Sequence, residues 1–346
     1  MKLRRWRSAV LLAWMCLLPV QVARAHPAWG IRVTSEGEIY FADVERDRIW
    51  KINQRGTLVA VLKGKHSHDL WLDRAGNLFG EHTVQDAAAD KPWQRSLWYF
   101  NEDGRLVELG VPPRGAGLAR DAAGNQFSVE SEAQTMRLLR RAPDGQVTVL
   151  AGGARGDADG PGAQARFSLL EAMAVGDDGT LYVRDNACIR RVTLSGEVTT
   201  IGGNPLAGVP RGAQPLILGL AVDARGNVFV ADTEQGVVRR LGANGSVETV
   251  LATGSFWCPA GVTVVNDELY VLETISQSVL RSLLIGSGIG PYLRVQKLTA
   301  SGRVQTLATV RGPAPRLLLG AAILLGALLM LWRMRRREWQ RDVAPE

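Results

Sequence analysis

The sequence predicts an all-β, six-bladed propeller, and three observations predict it. One phrase recurs six times: an apolar strand, a D-x-x-G-type turn, a second apolar strand and a closing acid. The copies are IRVTSEGEIYFAD, LWLDRAGNLFGE, LARDAAGNQFSVE, MAVGDDGTLYVRD, LAVDARGNVFVAD and VTVVNDELYVLE. Each is followed by a second strand pair around another turn, as in IWKINQRGTLVAVL, IRRVTLSGEVTTI and VRRLGANGSVETV. Turns such as DG, NG, SG and RG between apolar runs are hairpin signals, because glycine takes the positive φ that tight strand-to-strand turns require. Nothing between the phrases has a helical period. Four-stranded units repeating every 40 to 55 residues or so, about the length of one blade, make a propeller rather than a sandwich.

The elements follow in chain order. Lys2, Arg4, Arg5 and Arg7 give a positive start, Ala9 to Val20 an apolar run, and Ala23-Arg24-Ala25 an A-x-A cleavage pattern. Together these predict a secretory signal peptide over 1–25. The propeller is expected over 26–310 and a proline-stiffened linker over 311–316. A transmembrane helix is expected over 317–332, uncharged from Leu317 to Trp332. It reaches bilayer length once Arg316 and Arg333 snorkel. The basic tail, 333–346, belongs on the cytoplasmic side by the positive-inside rule. The expected location is therefore the cytoplasmic membrane with the propeller outside, in the periplasm of a Gram-negative cell.

These ends carry the charge. Of 41 Lys and Arg, five lie in the leader and six in 316–346, against three of the 34 acids. Residues 26–315 keep 30 bases and 31 acids, so the net charge of +7 is not a nucleic-acid footprint. Nucleic acid is excluded as a partner, and the membrane is expected as one. Cys188 and Cys258 are too few to build a disulfide framework. A whole blade separates them, so pairing would need the GSFWCPAG loop to reach across.

The segment LGLAVDARGNVFVADTEQGVVRRLGANGSVETVLAT resembles an NHL repeat. So does DADGPGAQARFSLLEAMAVGDDGTLYVRDNACIRRVTLSGEVTTIGG, with its DGPG…ARF lead-in. The resemblance spans 30–310, with insertions in blades 2 and 6. It implies a six-bladed propeller related to the gluconolactonase type. That fold serves binding, scaffolding and metal-dependent chemistry alike, so it does not name a function.

Strand order supplies a geometry. The face where each blade's second strand ends and its third begins is called the upper face here. Asp43, Glu81, Glu130, Asp185, Asp232 and Glu273 close the second strands. Six acids at one channel mouth would gather a cation or attract a basic ligand. Equally, acids at strand ends accept the N–H groups of the following turn.

Three of the four histidines fall in HSHDLWLDRAGNLFGEH, residues 66–82. Pairing across the Arg74–Asn77 turn is expected to set Asp69 opposite His82, gathering His66, His68, Asp69, Glu81 and His82 at one end of blade 2's inner hairpin. His68 and His82 with Glu81 or Asp69 are ligand types that zinc takes. Zinc or calcium is the expected ion if a metal binds; no cofactor is otherwise required. Against a metal, adjacent residues on a pleated strand face opposite ways, so Glu81 and His82 cannot both enter the channel unless the strand twists. The spacing also lacks the H-E-x-x-H form. Gluconolactonase-type propellers draw ligands from several inner-strand starts. Here these are Trp29, His68, Ala116, Glu171, Leu218 and Ala260, of which His68 and Glu171 alone are ligand types. Hydrogen-bonded histidines are the plainer expectation.

Two insertions add surface: 83–96, expected as a lid, and 282–292, expected as a membrane or protein contact. Trp93 and Trp257 are expected in loops, placed to stack on a ligand. The sequence has no G-x-S-x-G elbow or P-loop. It reads as a membrane-anchored extracytoplasmic module that binds a protein or small-molecule partner at the upper face. A metal-dependent lyase or lactonase-like hydrolase centred on blade 2 is the alternative.

Overall fold

The computed structural model describes residues 28–311, apart from 74, 86–92, 102, 116, 118, 187, 202–216, 255 and 276–290. The expected leader, membrane helix and tail lie outside these residues, as does most of both insertions. No helix among the described residues is long and apolar enough to cross a membrane.

Six sheets of consecutive antiparallel strands form the blades. Blade 1 comprises Ile31–Val33, Ile39–Asp43, Arg48–Ile52 and Leu58–Lys63; blade 2, Leu70–Leu72, Leu78–Gln85, Trp93–Phe100 and Leu106–Gly110; blade 3, Ala119–Arg120, Gln126–Ser131, Thr135–Arg141 and Val147–Ala154. Blade 4 comprises Leu170–Val175, Leu181–Asp185, Cys188–Val192 and Glu197–Thr200, with Gly160–Pro161 paired outside the last; blade 5, Ile217–Val222, Val228–Asp232, Val237–Leu241 and Val247–Ala252; blade 6, Trp257–Val265, Glu268–Ile275, Pro291–Leu298 and Val304–Arg311. The predicted six-bladed all-β architecture is what the chain forms.

The repeated phrase is turn chemistry. Asp73, Asp121 and Asp223 each accept the backbone N–H of the asparagine four residues on, at 2.8–2.9 Å. The asparagine amide donates to the other carboxylate oxygen. Gly76, Gly124 and Gly226 supply the left-handed residue, with φ of 79° to 85°. Blade 6 replaces this with a two-residue turn, Asn266-Asp267, both at positive φ, the primed hairpin that these residue types tolerate.

One expected register is corrected. Leu72 faces Leu78 and Leu70 faces Gly80, so the same register carried one step further sets Asp69 level with Glu81, not His82. The loop is five residues, closed by Asp73 N–H donating to the Asn77 carbonyl at 3.0 Å.

Inner strands approach closely around the channel. The register makes Gly30, Gly117, Ala172, Gly219 and Gly261 equivalent, and Asp69 is their counterpart in blade 2. Every sheet is built from consecutive strands, so blades 6 and 1 share none. They meet through an apolar cluster that includes Ile31, Phe41, Leu272 and Val295, all fully buried, each worth about 1.5–3 kcal/mol of burial. The Tyr292 hydroxyl donates to Asp43 Oδ2 at 2.6 Å, and the Arg46 guanidinium lies 3.7 Å over the Tyr292 ring. Tyr292, expected within an exposed insertion, is thus buried at the seam.

Gly261→Ala tests this packing. Its methyl carbon would fall 2.2 Å from the Trp29 carbonyl oxygen, whereas a methyl at Gly153 would meet nothing nearer than 3.6 Å. In denaturant melts Gly261→Ala is expected to destabilise by about 1–3 kcal/mol and Gly153→Ala by less than about 1 kcal/mol. Equal effects would contradict close packing at the seam.

Candidate functional site

The inner strands enclose two cavities, about 310 Å³ towards the upper face and about 420 Å³ below. They share a waist with one residue from each blade: Arg32, Asp69, Ala119, Met173, Leu220 and Val262. Across it Arg32 meets Asp69 at 3.0 Å, both about one-quarter exposed. The same Asp69 oxygen accepts the Leu70 N–H at 2.8 Å. Aspartate here replaces the small residue of the other blades, so an ion pair fills space beside the apolar side chains of Met173, Leu220 and Val262. Partial removal from water strengthens such a pair relative to one on the open surface.

Above the waist the cavity is lined by Trp29, His68, Glu81, Thr83, Arg95 and Glu171, among others. Each of its carboxylates is engaged by an arginine: Asp69 by Arg32, Glu81 by Arg95 at 2.7 Å, and Glu171 by Arg184. Burial pushes the Glu81 carboxyl above the ordinary carboxylate range; Arg95 opposes the shift and the Asp69 charge adds to it. The folded protein therefore holds this proton more tightly than the unfolded chain does. The associated stability is present below the ordinary pKa and lost as pH rises through the raised one.

The histidines divide between two roles. The His68 carbonyl accepts the N–H groups of Trp29 and Gly30, tying blade 2 to blade 1. Its ring lies in the cavity, 5.3 Å from the Trp29 ring and 5.0 Å from His66. His82 instead uses Nδ1 to accept the His66 N–H at 3.0 Å. His66 Nδ1 in turn lies 2.8 Å from Asp47 Oδ1, and Asp47 is held at φ 50°. Burial, then the Lys65 charge, lower the His82 pKa. The expected ligand set is thus split: His68, Asp69 and Glu81 line the cavity, and His82 secures the chain between His66 and Thr83. Strand pleating separates Glu81 from His82. Among the described residues no group of three His, Cys, Asp or Glu side chains is arranged to hold a metal ion.

The six second-strand acids do not converge on the channel mouth. Of them, Glu81 lines the cavity. Five face an arginine of their own blade's third strand: Arg95, Arg137, Arg190, Arg239 and Arg294 for Glu81, Glu130, Asp185, Asp232 and Glu273. In blade 1 the third-strand position of Arg190 and Arg239 is Trp50, whose indole N–H donates to Asp43 at 3.1 Å. Asp185 also accepts the N–H groups of Ser168 and Leu169. Asp43, Asp185, Asp232 and Glu273 are all within 3 % of full burial, too enclosed to receive a ligand from the channel. Nor do the acids all end their strands, since those of Glu81, Glu130 and Glu273 run on to Gln85, Ser131 and Ile275.

The tryptophans also differ from expectation. Trp93 opens a strand rather than sitting in a loop, because the first insertion lengthens a hairpin. Trp257 opens the first strand of blade 6, and the Arg294 guanidinium covers its ring at 4.4 Å. Cys188 and Cys258, on strands of blades 4 and 6, are not bonded to each other. Arg32 and Arg95 were missed from sequence. Arg32 had a readable signal, since its counterparts are Trp71, Ala119, Ala174, Ala221 and Thr263.

Replacing Arg95 by alanine removes the group that lowers the Glu81 pKa. Carboxyl-carbon NMR titration of Arg95→Ala is expected to show Glu81 titrating higher than in the parent. An unchanged or lower value would mean that Arg95 does not govern it.

No family model matches the chain, and no curated protein matches it. Solved structures similar to it include regucalcin, a calcium-binding protein from Agrobacterium tumefaciens. Identity there is 14%, covering 84% of this chain and 94% of that one, with a TM-score of 0.49. A gluconolactonase from Xanthomonas campestris is 14% identical over 71% of this chain and 83% of its own, with a TM-score of 0.49. A catalytically inactive virginiamycin B lyase from Staphylococcus aureus, with quinupristin, is 15% identical over 82% and 85%, with a TM-score of 0.48. The chain's own strand order makes it a six-bladed β-propeller, and propellers of the gluconolactonase, regucalcin and virginiamycin lyase kinds are among the structures it resembles.

Proposed function

We propose that this protein is an exported propeller, held at the membrane by residues 317–332, that binds a partner at its upper channel mouth. The partner is a small molecule or a side chain protruding from a protein. One observation carries this reading: every carboxylate lining the upper cavity already faces an arginine. Such pairs recognise a polar ligand by exchanging partners, at modest cost because each group is already oriented by its partner. A general base or metal ligand would have to compete with these arginines for its carboxylate. Trp29 and His68 supply the flat apolar surface beside the charges. The strands Leu78–Gln85 and Trp93–Phe100, paired as far as Gln85 and Trp93, are proposed to flank this mouth. The leader, the membrane helix and the basic tail support the location, since the exported body between them is about neutral.

The alternative is a metal-dependent lyase or lactonase-like hydrolase using His68, Asp69 and Glu81, with His82 outside the set. It draws on one observation, the raised carboxyl of Glu81 in the same cavity as His68.

Metal content separates the two. Full-length protein purified without chelator or histidine tag is compared with a His68→Ala/His82→Ala variant by elemental analysis and lactone-hydrolysis assay. The binding reading expects neither stoichiometric zinc or calcium nor turnover in either protein. About one ion per chain in the parent, lost from the variant together with hydrolysis, would establish the enzyme instead.

A further inference from the structure

The lower cavity breaks the repeat at one position. One inner-strand position, the last before the turn in blades 1 to 5 and one short of it in blade 6, is equivalent in every blade and lines this cavity: Val33, Leu72, Arg120, Val175, Val222 and Val264. Five are aliphatic and the sixth is arginine. Arg120 lies 4.5 Å over the Trp71 ring and 5.3 Å from that of Phe79, which itself packs on Trp71 at 5.1 Å. Among the described residues its side chain makes no hydrogen bond or ion pair, and its Nε is fully buried without a partner. Arg190 and Arg294, by contrast, each face carboxylates.

Burial depresses the Arg120 pKa, with the Asp73 charge opposing. Asp73 forms no ion pair with it, and both Asp73 oxygens accept N–H groups of Ala75 and Asn77 in the turn. Asp177, the other acid at this rim, is exposed to solvent, and Asp69 is taken by Arg32. Arg120 and Trp71 also line a separate groove at the turns of blades 2 and 3, so the guanidinium borders two cavities.

A desolvated cation set in an aliphatic rim, its planar face occupied by indole and its edge unfilled, is complementary to a carboxylate on an apolar body. We propose that the lower cavity is a second ligand site, distinct from the upper mouth, for small apolar monocarboxylates. The carboxylate pairs with the edge of Arg120, and the hydrocarbon lies among Val33, Leu72, Val175, Val222 and Val264.

The test uses full-length protein and three probes in ligand-observed NMR titrations: cyclohexanecarboxylate, its uncharged amide and acetate. Cyclohexanecarboxylate is expected to bind saturably and more tightly than either of the others. Arg120→Leu, which installs the residue blade 2 carries at this position, is expected to weaken it by about tenfold or more, the worth of a charge-assisted hydrogen bond. The same variant should leave binding of the amide nearly unchanged and should melt no lower than the parent, since it removes a desolvated cation. Arg120→Lys keeps the charge without the planar fork and should weaken binding severalfold, which guards against a leucine variant that fails to fold. Absence of saturable binding, equal affinity for acid and amide, or an affinity indifferent to both substitutions would each overturn the proposal.

Discussion

The closure of blade 6 onto blade 1 is the constraint on which the rest of the structure depends. Neither blade lends the other a strand, so the ring is held by close backbone approach at Gly261 and Trp29, by the buried cluster around Phe41 and Leu272, and by the Tyr292–Asp43 hydrogen bond. The seam also shapes the channel, since Val262 and Arg32 stand on its two sides and both line the waist. A seam that opened would part those residues and merge the two cavities. Hydrogen bonds across other blade boundaries play the same part locally, as where Thr233 donates to the Pro259 carbonyl at 2.7 Å.

Within that ring, residues common to the blades and residues peculiar to one have different work. The common ones make turns and bind strands together, as in the aspartate–asparagine–glycine turns and the acid of each second strand facing its third-strand partner. The peculiar ones gather along the channel on blades 1, 2 and 3: Arg32, His68, Asp69, Trp71 and Arg120. Each replaces a small or aliphatic residue of other blades with a charge or a ring. A symmetric scaffold supplies rigidity, and departures from its symmetry supply chemistry. Both proposed sites lie where the departures are.

This division explains what the sequence reveals. The blade count, the order of strands and the turn types follow from local phrases, because each is fixed by residues within a dozen positions. The inner-hairpin register of blade 2 is misread by one step, because whether a loop closes over four or five residues depends on the Asp73–Asn77 hydrogen bond. The second-strand acids resemble a ring when read alone. Their partners lie among the third-strand arginines of IRRV, VRRL and YLRV, which do not keep one register against the acids. The waist pair was not readable as a pair: Arg32 and Asp69 lie 37 residues apart on different blades and meet only once the propeller has formed.

A double-mutant cycle between Tyr292→Phe and Asp43→Ala tests the seam most directly. Stabilities of the parent, both single variants and the double variant are read from denaturant melts. If Tyr292 and Asp43 join the ends of the ring as described, their coupling is about 1 kcal/mol or more, as for a buried side-chain hydrogen bond. A coupling indistinguishable from zero, with both single variants destabilised independently, would mean that this contact does not close the propeller.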